Sequence, residues 1–83
     1  MADVKVGKIT HYFDRIGVAV VELSDTLKTG DKVRIGGIIE DFQMTVSSMQ
    51  VEHEQLEEAK KGDTIGMKVD QPVKVGDEVF KLI

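Results

Sequence analysis

An all-β fold, a small closed antiparallel β-barrel of six or seven strands, is predicted by three features of the sequence. A Gly-Asp-x-Val/Ile corner occurs three times, at Gly30-Asp31-Lys32-Val33, Gly62-Asp63-Thr64-Ile65 and Gly76-Asp77-Glu78-Val79, each shortly after a lysine. Glycine admits the positive φ of a turn, and the Asp carboxylate can accept from backbone N–H groups just before it, so each copy reads as the last corner before a strand. Between the corners apolar residues alternate with polar ones, the period of a half-buried strand. The third feature is size. With 83 residues and no cysteine, one small domain over residues 1–83 gains most from closing its sheet, which removes the exposed edges.

The elements follow in order. Val4 to His11 alternates with a break at Gly7, predicting a first strand with a bend or bulge there. Asp14 begins a turn, and Arg15 to Leu23 form a second strand in which Val18, Ala19, Val20 and Val21 are apolar on both faces. Only one face can enter the barrel, so the other is expected to be covered, by a loop of this chain, a partner or a second copy. Ser24 to Thr29 is a polar connection, Lys32 to Ile35 a short strand, and Gly36-Gly37 a tight turn leading through Ile38-Ile39 to the next.

Phe42, Met44 and Val46 alternate, then Ser47-Ser48 interrupt the count before Met49 and Val51 resume it. That phase slip predicts a bulge or sharp bend at a barrel corner. Glu52 to Lys61 is rich in helix formers but has only Leu56 and Ala59 as apolar anchors, which predicts a strand end followed by a helical turn over Leu56 to Lys61. Thr64 to Val69 is a strand with Ile65, Met67 and Val69 inward, stopped by Gln71-Pro72, and Asp77 to Leu82 is expected to close the sheet.

Composition narrows the function classes. Residues 1–39 hold six Lys/Arg against five Asp/Glu, and residues 40–83 hold five against ten, for a total charge of −4. Nonspecific nucleic-acid binding, which neutralises many phosphates, is disfavoured by that total, although one local basic contact in the first half is compatible with it. No apolar run approaches the ~20 residues of a membrane span, and the Met-Ala-Asp-Val start lacks a signal-peptide pattern, so a soluble, cytoplasmic chain is expected.

Chemistry is sparse. No Gly-x-x-x-x-Gly-Lys-Ser/Thr phosphate loop is present. His53-Glu54-Gln55-Leu56-Glu57 has part of a zinc-protease motif without its second histidine, and Glu52, Glu54, Glu57 and Glu58 read as a solvated acidic face. No catalytic residue, metal site or cofactor is assigned, and an enzyme is not expected. The candidate binding residues lie in the first hairpin, Lys8, His11, Tyr12, Phe13 and Arg15. Adjacent Tyr12 and Phe13 point to opposite faces in extended chain, leaving one ring outside among cations as a platform for an RNA base. Alternatively both rings plug the barrel mouth.

Leu56-x-x-Ala59-x-x-Gly62-Asp63-x-Ile65-Gly66-Met67, preceded by Val46-Ser47-Ser48-Met49-Gln50, resembles the second domain of translational GTPases such as elongation factor Tu. Lys28-Thr29-Gly30-Asp31-Lys32-Val33-Arg34-Ile35 is similar to another corner of that family, and Gly7-Lys8-Ile9 to its start. The resemblance implies a stand-alone, elongation-factor-like barrel that is noncatalytic and contacts tRNA or ribosomal RNA. No RNA-pocket residue is carried over, because Glu22 follows Val20-Val21 where that family usually has glycine. The second expectation is a protein-interaction module docking through Val18, Ala19, Val20 and Val21 onto a GTPase, a peptidase-like partner or itself.

Overall fold

The three Gly-Asp corners share one geometry in the computed structural model, which describes residues 3–36, 41–51 and 54–82. Gly30, Gly62 and Gly76 adopt φ of 91°, 92° and 97°. In each corner the backbone N–H of the preceding lysine (Lys28, Lys60, Lys74) donates to Oδ2 of the aspartate (Asp31, Asp63, Asp77) at 2.9–3.0 Å. The aspartate N–H donates back to that lysine's carbonyl.

Each corner also grips a distant core residue through two backbone bonds. Gly30 donates to Val46 O while Val46 donates to Asp31 O; Gly62 and Asp63 hold Leu23 in the same way, and Gly76 and Asp77 hold Ile9. The repeat is therefore longer than the sequence pattern indicated. A buried residue precedes the lysine (Leu27, Ala59, Val73) and another follows two places after the aspartate (Val33, Ile65, Val79). Each copy fixes a turn, buries both flanks and anchors a core residue distant in the chain.

Ten strand segments result among the described residues: β1 (Asp3–Phe13), β2 (Val18–Leu23), β3 (Leu27–Lys28), β4 (Lys32–Gly36), β5 (Asp41–Thr45), β6 (Met49–Val51), β7 (Glu54–Leu56), β8 (Glu58–Ala59), β9 (Thr64–Lys68) and β10 (Glu78–Leu82). Eight form one antiparallel sheet in the order β5-β4-β10-β1-β2-β9-β6-β7, and β3 pairs with β8. The all-β, antiparallel expectation holds.

Closure does not. β5 and β7 stand at the two ends of the strand order and do not pair with each other, so no hydrogen-bonded barrel is formed among the described residues. The sheet curls instead through the chain, because Val46 to Ser48 carry it from β5 at one margin to β6 beside the other. The interrupted alternation at Ser47-Ser48 is this corner, and Val46 and Met49 on either side of it are both buried.

Three further expectations are corrected. β10 lies in the middle of the sheet, between β4 and β1, rather than closing it. The helical turn over Leu56 to Lys61 is absent: β7, a bend at Glu57 and β8 occupy its first part. Pairing of Met49 with Leu56 and of Leu27 with the buried Ala59 overrides the helix preference of this run. The predicted second strand begins only at Val18, since Asp14 to Gly17 form the turn. Gly37, Ile38, Ile39, Glu52 and His53 lie outside the described residues, and with them the Gly36-Gly37 turn and the histidine of the partial zinc motif.

The core is aliphatic and sulfur-bearing, with Ile9, Val21, Leu27, Ile35, Met49, Ile65, Met67 and Val79 all at most 1% exposed. Among the described residues it contains no buried polar or charged residue.

Candidate interaction face on the first hairpin

The inward and outward rows of the β1–β2 hairpin are set by two bulges. The β1–β10 register shifts between Lys5 and Gly7, as the glycine predicted, and the β1–β2 register shifts between Ile9 and His11. The Thr10 hydroxyl donates to Val20 O at 3.3 Å beside the second shift. Beyond it Tyr12 pairs with Ala19, whereas His11 pairs with Val20 and Phe13 with Val18.

Burial follows that alternation. Ala19 and Val21 are 0% exposed, and Tyr12 is half-buried against the core. His11 and Phe13 are exposed, and Val18 and Val20 are half-buried. The two groups of residues chosen from the sequence therefore interleave. Their outward members, His11, Phe13, Val18 and Val20, make one continuous face, and their inward members are core. Ala19 and Val21 are removed from the predicted docking surface for that reason.

The face is built on a well-anchored turn. Gly17 (φ 67°) and Ile16 both donate to Phe13 O, and Val69 N–H donates to Gly17 O at 2.9 Å. Ile16, which the sequence reading did not single out, projects from that turn at 61% exposure beside Phe13 at 47%. The His11 and Phe13 rings meet with centroids 4.4 Å apart and planes tilted by 56°, within the range of favourable aromatic pairs. On β9, Gly66 lies opposite Val20, and a Cβ there would stand 3.2 Å from Val18 Cγ1.

The predicted cations take different positions. Arg15 is exposed in the turn. Lys8 lies on the other side of the second bulge, opposite Glu22 on β2 and Glu78 on β10. Lys5 Nζ sits 2.6 Å from Glu78 Oε2. That hydrogen bond, the attraction of Lys5 and a smaller one from Lys8 hold the Glu78 carboxyl below its ordinary value. Lys8 thus belongs to an acid–base ladder, set apart from Phe13 by the second bulge.

A second cluster escaped the sequence because its members are far apart in the chain. Arg34 on β4 bonds Asp3 Oδ2 through Nε (2.9 Å) and Nη2 (2.8 Å), and Asp41 Oδ2 through Nη1 (3.0 Å). Its guanidinium lies 4.5 Å from the Phe80 ring centroid. The two carboxylate bonds raise its pKa further. The arrangement ties the starts of β1 and β5 across the sheet.

An open depression of about 480 Å³ lies between the β6–β7 hairpin and the second Gly-Asp corner, lined by Val51, Glu54, Leu56, Gly62, Asp63 and Thr64. Among the described residues its titratable lining consists of Glu54 and Asp63.

No protein-family model matches the chain. Over 80 residues, 95% of this chain, it is 35% identical to an uncharacterized protease of Methanocaldococcus jannaschii. The chain spans one fifth of that relative's length. Among solved structures, the C-terminal domain of a Geobacillus thermoleovorans protein assigned to the U32 peptidases superposes with a TM-score of 0.89, over 96% of this chain and 93% of that one, at 23% identity. The chain has the fold of a U32 peptidase C-terminal domain. The selenomethionine variant of that domain gives a TM-score of 0.85 at the same identity, over 90% of this chain and 95% of that one.

These likenesses overturn the resemblance to the second domain of elongation factor Tu, and with it the expected contact with tRNA or the ribosome. The residues that carried it, Val46 to Gln50 and Leu56 to Met67, encode a chain corner and a strand-launching turn. Such devices specify local backbone geometry, which unrelated small β folds can share. As for location, no helix among the described residues is long and apolar enough to cross a membrane.

Proposed function

We propose that this chain is a noncatalytic protein-interaction domain that serves a peptidase of the U32 type, docking onto its catalytic part through the outward face of the β1–β2 hairpin. The observation that carries the proposal is the asymmetry of the match: nearly the whole of this chain corresponds to one fifth of a protein named as a protease. A segment of that proportion, with the fold of a C-terminal domain, has the standing of an accessory unit.

The hairpin supports the reading physically. His11, Phe13, Val18 and Val20 form its face, and Ile16 extends it at the turn. Exposed apolar side chains held on a fixed backbone lose little freedom on binding, which favours them as contact centres. Absence of an enzymatic role is part of the proposal.

Affinity capture from cell extract with the tagged chain, read by mass spectrometry, tests this. A U32-type peptidase is expected to be recovered equally with and without nuclease, and to be lost with the Phe13→Glu, Val20→Lys double variant. RNA-dependent recovery, or recovery of the peptidase unchanged by the double variant, contradicts it.

A further inference from the structure

The open sheet has two margins, and their chemistry differs. At one margin β7 offers Glu54, Gln55 and Leu56 and is followed by Glu57 and Glu58, all but Leu56 exposed. A second copy of this acidic strand laid against it would gather Glu54, Glu57 and Glu58 of both copies along one junction. At the other margin β5 offers Asp41, Phe42, Gln43, Met44 and Thr45. It contains no lysine and no proline, and its register with β4 runs without a shift from Lys32↔Thr45 to Gly36↔Asp41. The devices that usually blunt a sheet edge, a charged edge residue, a proline or a bulge, are therefore reduced to one carboxylate. That carboxylate is already engaged by Arg34 Nη1 at 3.0 Å.

From this difference we infer that β5 is a self-pairing edge, through which two copies of this chain join antiparallel about a two-fold axis at Gln43. The register is self-complementary. With Gln43 on the axis, Phe42 faces Met44 of the second copy and Asp41 faces Thr45, so no like charges meet across the pair. Met44 is 6% exposed and Phe42 half-buried, both on the core side of the sheet. Pairing covers the remaining open part of Phe42 with the second copy's Met44 and extends the apolar layer across the junction. Exposed Asp41, Gln43 and Thr45 stay on the solvent side. Backbone hydrogen bonding along the new ladder supplies the rest of the association, as in other strand-addition contacts. This edge and the β1–β2 face are separate, so the inference holds whether or not a peptidase docks on the hairpin.

Analytical ultracentrifugation from about 10 µM to 1 mM, paired with hydrogen exchange at both ends of that range, tests it over the Kd window of a small interface. The expected result is a monomer–dimer equilibrium in which the amides of residues 41–45 gain protection at high concentration while those of β7 do not. Gln43→Lys places two ammonium groups on the axis and is expected to weaken the dimer at least tenfold. Because Gln43 is exposed, the variant should keep its thermal transition, and Gln43→Ala, which adds no charge, should still dimerise. A monomer across the whole range overturns the inference, as does a dimer that Gln43→Lys leaves intact. Protection of residues 41–45 only on adding a peptidase overturns it too, since the edge would then receive a foreign strand.

Discussion

Two glycines illustrate how single residues hold this fold for different reasons. At Gly76 a Cβ would meet nothing within 4 Å, yet φ is 97°. The cost of Gly76→Ala is therefore conformational, about 1–2 kcal/mol. Gly7 is the opposite case, because an added Cβ would lie 2.6 Å from Val21 Cγ1 and 3.0 Å from Glu22 O. Gly7→Ala forces the β1–β2 pair apart and should cost about 3 kcal/mol. Thermal melts should show both variants below the parent by ~4–8 °C per kcal/mol, with Gly7→Ala the lower; the reverse order would contradict this assignment.

At the same scale, Glu78 makes stability depend on pH. Its folded-state pKa lies below the ordinary carboxylate value because of Lys5. The stabilisation is therefore fully present above that ordinary value and is lost as pH falls through the folded one. Denaturation of Glu78→Gln beside the parent should show the variant less stable at neutral pH and the gap closing in acid. A gap that widened in acid would refute the role given to Lys5. High salt should narrow it, since both groups are solvent-exposed.

Among the elements, the first hairpin shows what an alternating pattern can and cannot convey. Val18 to Val21 are four apolar residues in a row, which signals two apolar faces without saying which is inside. The bulge at Thr10 decides it, and a bulge of one residue between Ile9 and His11 leaves no mark in composition. Val21→Lys should unfold the chain, since it places an ammonium in a site that is 0% exposed. Val20→Lys, one residue earlier and outward, should fold with a melting temperature within a few degrees of the parent. Circular dichroism melts of the two variants separate the faces directly, and similar losses in both would mean the hairpin is packed on both sides. The Glu54 to Ala59 run shows the converse. Its residues favour helix in isolation, but pairing with β6 and with Leu27, more than 30 positions upstream of Ala59, selects strand.

For the molecule as a whole, strand positions were legible while their order was not. The Gly-Asp corners announced where β4, β9 and β10 begin, because turn geometry is written in a few adjacent residues. Which strands then pair depends on contacts such as Lys5 with Phe80, whose energy no local window contains. Hence the sheet's openness and the central place of β10 are properties of the folded chain that no local pattern encodes. Function was legible to a smaller degree. The protein-interaction alternative fits the likeness to a protease and to a U32 peptidase C-terminal domain better than the RNA-binding reading does, whereas the translation-factor resemblance rested on corner motifs that specify local turn geometry and leave function open.

Isothermal titration of the 83-residue chain into a U32 peptidase whose own C-terminal β domain has been deleted tests the docking account most directly. Saturable 1:1 binding is the predicted result, abolished by the Phe13→Glu, Val20→Lys double variant while that variant still melts cooperatively. Absence of heat with the folded parent chain, at concentrations up to about 1 mM, would contradict it.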